Sequence, residues 1–147
     1  MAQIENTVTV ACSPETLFEY VTQPAKWHEW HPNSLSAVYP QPLDKVGLGF
    51  DEVIAVQALP GLPLRLKRDI QYRVTDYEKN KLWAVVGEGK DSRIRIHYEF
   101  EPHDDGCLFR RHLSYELVGW VRWLRPLLER NNRVGSRRAL ENLVSRF

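Results

Sequence analysis

Residues 47 to 117 read as one strand after another, and a single long helix follows them; few folds accommodate that order. The segments 47–56, 62–74, 82–86, 93–100 and 107–117 carry strand character. Between them lie LPGLP (59–63), YEKNK (77–81), GEGKD (87–91) and PHDDG (102–106), all rich in turn-forming residues. Connections this short join antiparallel neighbours, so the expected topology is a meander. Residues 35–39 add a weaker edge strand. Near the start, IENTVTVAC (4–12) alternates, with Val8, Val10 and Cys12 on one face and Thr7 and Thr9 on the other.

Helix signals bracket the strands. Ser13 suits an N-cap and Pro14 a first helical position, where a missing N–H costs nothing. Leu17, Phe18 and Val21 supply the apolar stripe of a short helix. Pro24 ends it or opens a second short turn, which carries Trp27 and Trp30. From about residue 122 to 147 the chain reads as one helix, with no proline after Pro126. The expectation is one α+β domain over residues 1–147.

Composition excludes several function classes. A hydrophobic fraction of 43% and a charged fraction of 27% are those of a soluble globular protein. A formal net charge of +1 gives no strong steering toward nucleic acid or anionic membrane. MAQIENTVTV has no basic flank followed by an apolar run, and no stretch is long enough to span a bilayer. Cys12 and Cys107 are too few for a disulfide framework, so a cytoplasmic setting with both thiols reduced is expected.

Alternation assigns the faces. One face of the sheet collects Leu48, Phe50, Glu52, Ile54 and Val56, then Leu64, Leu66, Arg68, Ile70, Tyr72 and Val74. It continues with Leu82, Ala84 and Val86, then Ile94, Ile96, Tyr98 and Phe100, then Phe109, Arg111, Leu113, Tyr115 and Leu117. Glu52, Arg68 and Arg111 interrupt this apolar face, and a buried unpaired charge is costly. A hairpin centred on Pro60 sets Glu52 directly across from Arg68. We read the pair first as an internal ion pair at a partly wet end of the sheet. The alternative is a polar patch in a ligand cavity, with Arg68 or Arg111 holding a carboxylate or phenolate.

The long helix shows no single straight stripe. Leu124, Leu127, Leu128 and Val134 fall on one side, and Leu140, Leu143, Val144 and Phe147 on a side rotated by roughly half a turn. Asn131 and Gly135 lie in line with Leu124 and Leu128. Small and polar groups there suggest a space beneath the helix; a helix bent at Gly135 and packed normally is the other reading.

FEYVTQPAKWHEWHPNS (18–34) resembles the signature after the first strand of the START and Bet v 1-like (SRPBCC) superfamily. More narrowly, it resembles the bacterial polyketide cyclase/dehydrase and lipid-transport group. Thr22, Pro24, Trp27, Trp30, His31 and Pro32 carry the match. VGLGFDEV (46–53) is similar to that group's glycine-flanked third strand, and DDGCLFRRHLSYEL (104–117) to its final strand. The resemblance covers essentially the whole chain. It implies a helix-grip fold: a seven-stranded antiparallel sheet wraps the C-terminal helix, a cavity lies between them, and two short helices close one end. It also implies that the first and last strands lie side by side, with Cys12 and Cys107 near each other on the inner face.

Other chemistry finds little support. There is no glycine-rich phosphate loop, no dinucleotide fingerprint, no G-x-S-x-G and no cysteine-nucleophile signature, so no cofactor is expected. His28 and His31 share an i, i+3 spacing, but no third ligand for zinc is fixed nearby and no metal is expected. Arg93, Arg95, Arg110 and His112 make an outer basic patch without interleaved aromatics, which argues against a nucleic-acid platform. Seven Arg against two Glu follow Val118; a solvated helix face is preferred over contact with an acidic partner or membrane.

The expected function is binding, with transport as an extension, of a small hydrophobic or aromatic molecule, with or without an acidic group, by a monomer or homodimer. The expected site residues are Phe50, Glu52, Arg68, Tyr72, Tyr98, Arg111, Tyr115, Leu128 and Asn131, with Trp30 and His31 near one end. The rival is an aromatase/cyclase- or dehydratase-like enzyme in the same cavity. Acid–base work would then fall to His31, Glu52, Tyr72 or Tyr98, with Arg68 or Arg111 stabilising an enolate. A third reading is an accessory protein that binds a partner through its exposed face.

Overall fold

The alternation of the N-terminal residues becomes β1 (Ala2–Val10), and the Ser13–Pro14 signal starts α1 (Pro14–Val21). Ser13 Oγ accepts from the Thr16 N–H at 3.2 Å, a side-chain cap that satisfies an otherwise orphaned donor. Pro24 opens a 3₁₀ turn, Pro24–Glu29. The strands follow as β2 (Ser34–Val38), β3 (Gly49–Gln57), β4 (Arg65–Glu78), β5 (Leu82–Glu88), β6 (Ser92–His103) and β7 (Gly106–Leu117). A second 3₁₀ turn, Gly119–Leu124, leads into α2 (Arg125–Arg146). The computed structural model describes residues 2–57 and 65–147; the expected LPGLP turn and Leu64 lie outside them.

All seven strands form one antiparallel sheet in the order β1-β7-β6-β5-β4-β3-β2. The meander is as expected, and β1 closes against β7, with Val8 opposite Phe109 and Val10 opposite Cys107. The sheet's inner face packs on α1, the first 3₁₀ turn and α2. Its centre is an aromatic block. Phe50 stacks on Tyr72 with ring centroids 4.8 Å apart, and Trp83 stacks on Tyr98 at 5.5 Å. Trp27 stands edge-on to both pairs, and its buried Nε1 donates to the Val21 carbonyl at 2.7 Å.

Four sequence expectations need correction. First, β5 turns Trp83 and Val85 inward, not Leu82, Ala84 and Val86: Trp83 lies opposite Tyr98, and directly opposed residues share a face. LWAVV is apolar at both parities, so alternation had nothing to read. Second, β3 and β4 pair two residues out from a hairpin centred on Pro60. Glu52 lies opposite Ile70, and Ile54 opposite Arg68. Third, residues 119–124 are a separate 3₁₀ turn, and the α-helix begins at Arg125. Fourth, α2 does present one stripe inward: Leu128, Gly135, Ser136, Ala139, Leu140 and Leu143 are buried, while Val134 and Val144 are exposed. The middle of that stripe is small. Large residues at its ends clamp the helix, and the small centre faces the cavity side.

Candidate functional site

The space beneath α2 is a cavity of about 130 Å³. Its floor is the inner face of the sheet: Ile54, Leu66, Tyr72, Ile94, Ile96, Tyr98, Leu113, Tyr115 and Leu117. The crossover from α1 to β2 supplies Trp27, His31, Asn33 and Ser34. Val121, Leu128 and Asn132 close the side toward α2, and Asp91 and Ser92 stand at the β5–β6 turn. Among the expected site residues, His31, Glu52, Arg68, Tyr72, Tyr98, Arg111, Tyr115 and Leu128 line this space. Trp30, Phe50 and Asn131 do not. Trp30 is fully buried with its ring 6.0 Å from that of His31, Phe50 lies on Tyr72, and Asn131 sits one step round the helix from Asn132.

The polar groups divide into two sets. Arg68 Nε donates to Asp91 Oδ2 at 2.9 Å, and its Nη1 donates to the Lys67 carbonyl. This pair is partly exposed and self-contained. The expected Glu52–Arg68 pair does not form, because the two-residue register difference separates them and Asp91 takes the guanidinium instead.

Glu52 and Arg111 belong to the second set. Glu52 is 4% exposed and accepts from Ser34 Oγ at 2.7 Å and from the Tyr72 hydroxyl. Burial pushes its carboxyl up to about 7, against the pull of those two bonds and of the Arg111 charge. Arg111 is 3% exposed. Its Nη1 donates to Ser136 Oγ at 3.1 Å, and it bonds the Tyr98 hydroxyl, but its Nε has no partner among the described residues. Among the described residues no carboxylate lies within 4.0 Å of it. Burial pushes the Tyr98 phenol up to about 12 and the Tyr72 phenol well above its usual value.

His31 completes the group. It is half-buried and lines the cavity. Burial, reinforced by the Arg111 charge, depresses it to about 3, so it is neutral at pH 7. Its Nδ1 accepts from the Asn33 N–H at 3.2 Å, which leaves the proton on Nε2. His28, three residues back, is exposed on the other side of the turn. Among the described residues no cluster of His, Cys, Asp or Glu has the makings of a metal site.

Sequence reasoning missed Asn33, Ser34, Asp91, Asn132 and Ser136. Asn132 and Ser136 were within reach of it, because they follow Leu128 at four-residue steps on one helix face. Ser34 and Asp91 depend on the register of distant strands, and no local signal marks them. The outer face is different in kind. Three of its basic residues are met by carboxylates: Arg110 by Glu99 and Glu101 at 3.7 and 3.8 Å, His112 by Glu5 at 3.8 Å, and Arg93 by Glu88 at 4.0 Å.

The family model described as polyketide cyclase/dehydrase and lipid transport matches residues 1–147. The chain belongs to that family. Solved structures show the same fold at low identity. A START superfamily protein from Mycobacterium smegmatis has a TM-score of 0.75 at 15% identity, covering 98% of this chain and 95% of that one. A protein from Thermus thermophilus, TTHA0849, has a TM-score of 0.72 at 13% identity, covering 99% and 96%. Ara h 8.0201 has a TM-score of 0.67 at 12% identity, covering 98% and 95%. Among curated proteins no relative matches. This polyketide cyclase/dehydrase and lipid-transport family member therefore has the helix-grip fold. Among the described residues no helix is long and apolar enough to cross a membrane.

Proposed function

We propose that this family member binds a compact aromatic or otherwise apolar molecule that carries a carboxylate, phenolate or enolate oxygen, and that Arg111 holds that oxygen. The observation that carries the reading is the buried guanidinium whose Nε has no partner, and which has no carboxylate within 4.0 Å, among the described residues. A buried guanidinium with a donor left unfilled is expensive, and an anionic ligand offsets the cost by charge-assisted hydrogen bonds. The cavity's size sets the ligand's. An apolar cavity of about 150 Å³ accepts one benzene ring, and about 130 Å³ suits a single small ring. Ile54, Leu66, Ile94, Ile96 and Leu113 supply its apolar wall, and neutral His31 and Tyr98 add hydrogen-bonding partners beside Arg111. Within this reading the chain is a single ligand-binding domain that works in the cytoplasm.

Calorimetric titration with benzoate, benzyl alcohol and toluene tests it. Benzoate is expected to bind at least about tenfold more tightly than the other two, the effect of one charge-assisted bond. That margin should vanish in Arg111→Met. Equal binding of all three, or a margin that survives in Arg111→Met, overturns the reading.

One observation favours a second reading, that of an enzyme. Glu52 stands near pH 7 in a cavity that also holds a fixed cation, the pairing required to remove a proton beside a carbonyl and hold the enolate. Deuterium exchange at the α-carbon of a bound aryl ketone, followed by NMR, tests it. Exchange should be lost in Glu52→Gln; exchange equal in the variant, or none in either, leaves binding alone.

A further inference from the structure

We propose that the 3₁₀ turn Gly119–Leu124 and the first turns of α2 dock on an anionic lipid surface. Trp120 and Trp123 are 59% and 77% exposed, the largest side chains that the described residues leave in solvent. Between them Val121 is buried and lines the cavity, so the turn's outward side is indole and its inward side is cavity wall. Basic groups flank the indoles. The Arg122 guanidinium lies 5.3 Å from the Trp123 ring centre, and Arg125 and Arg130 are exposed. Among the described residues no carboxylate lies within 4.0 Å of these three arginines. Glu129, the acidic residue among them, is taken by Arg133 at 3.2 Å.

Each feature suits a bilayer's edge. Indole rings settle at the headgroup level, with an apolar body and a polar N–H. Arginine side chains lay their stems along apolar surface and keep their charge at the phosphates. Basic residues near an anionic leaflet add attraction that falls off within a Debye length. The chain's net charge of +1 supplies none of this; the attraction is local to the patch. A second copy is the poorer occupant, because a two-fold contact would set like-charged arginines against each other. Docking would also lay the wall that Val121 and Leu128 form at the lipid surface. The proposal does not depend on what the cavity binds.

The test is sedimentation with vesicles of phosphatidylcholine alone and of phosphatidylcholine mixed with phosphatidylglycerol, at low and high salt. Brominated lipids in the same vesicles report indole insertion. Trp27, Trp30 and Trp83 are buried in the fold, so quenching reports Trp120 and Trp123. Binding is expected only to the anionic vesicles, with weakening at high salt and with quenching. Trp120→Ala/Trp123→Ala should weaken it at least about tenfold while leaving the circular dichroism unchanged. Arg122→Ala/Arg125→Ala should remove the preference for anionic lipid. No binding to anionic vesicles, or binding unaltered in both variants, overturns the proposal. So does a wild-type dimer that dissociates in the tryptophan variant and never reaches the vesicles, which would assign the patch to a second copy.

Discussion

Arg111 on β7 and Ser136 on α2 meet at 3.1 Å, Nη1 donating to the serine hydroxyl. The contact ties the buried cation of the sheet to the small-residue centre of the helix. A methionine at 111 fills similar volume without a charge to desolvate, which offsets the hydrogen bonds lost to Ser136 and Tyr98. We expect Arg111→Met to hold wild-type stability within about 1 kcal/mol in urea denaturation, while binding of anionic ligands drops. A loss of about 3–5 kcal/mol would mean that Arg111 holds the fold together instead.

Glu52 and His31 make opposite demands on pH. Glu52 is raised in the fold from 4.5 to about 7. Its contribution to stability is fully present below pH 4.5 and is lost as pH rises through about 7. His31 is lowered from 6.5 to about 3. Its contribution is present above pH 6.5 and is lost as pH falls toward about 3. Each proton is worth at most about 1.4 kcal/mol per pH unit, so between pH 4.5 and 6.5 the two slopes cancel. Single variants should uncouple them. Glu52→Gln should become more stable as pH rises across that window, and His31→Asn should become less stable. Parallel curves for wild type and both variants would rule out these titrations.

Gly87 keeps Tyr72 in place. A Cβ on Gly87 would come within 2.5 Å of the Tyr72 ring and 2.8 Å of the Ile70 side chain. The ring has nowhere to go, since Phe50 stacks on it and Trp27 meets its edge. Gly87→Ala should therefore cost about 1–3 kcal/mol, as overpacking does. It should also move the Tyr72 hydroxyl off Glu52 and shift the carboxyl's titration, readable by NMR. A variant with unchanged stability and titration would show that the aromatic block yields more easily than its packing implies.

Burial raises the thiols of Cys12 and Cys107, and both are free. Thiolate is the reactive form. Alkylation of the native protein at pH 8 should be slow at both sites, slower at the buried Cys107, and fast in denaturant. Mass spectrometry of protein from cytosol-like buffer should find no disulfide between them; a fully oxidised pair would contradict this.

How much of this could be read from the residues depends on what each feature needs. The meander, the Ser13 cap and the inward faces of β4, β6 and β7 rest on local alternation and turn chemistry, and those are written in the chain. Arg111 could be found because a lone charge on an apolar strand face stands out. The face of β5 could not, because LWAVV carries no alternation. The partner of Glu52 could not either, because a shift of two residues in the β3–β4 register exchanges Arg68 for Ile70 across from it. Asp91 comes from a turn that only the closed sheet brings to Arg68. The pair of tryptophans in KWHEWHPNS marked the fold rather than the chemistry: Trp27 anchors the aromatic block, and His31 alone of the two histidines reaches the cavity.

The pairing of β1 with β7 also bears on the order of events at the ribosome. Ala2 finds its partner in Tyr115, and Val10 finds its partner in Cys107. β1 must therefore wait, unpaired, until β7 has emerged. Contacts of such long range slow folding and leave strand edges open to wrong partners. The hairpins from β3 to β7 have no such delay, since each meets its neighbour as it appears. The N-terminal strand is then the last piece of the sheet to be seated, and a nascent chain stalled before β7 would hold five paired strands and one left over.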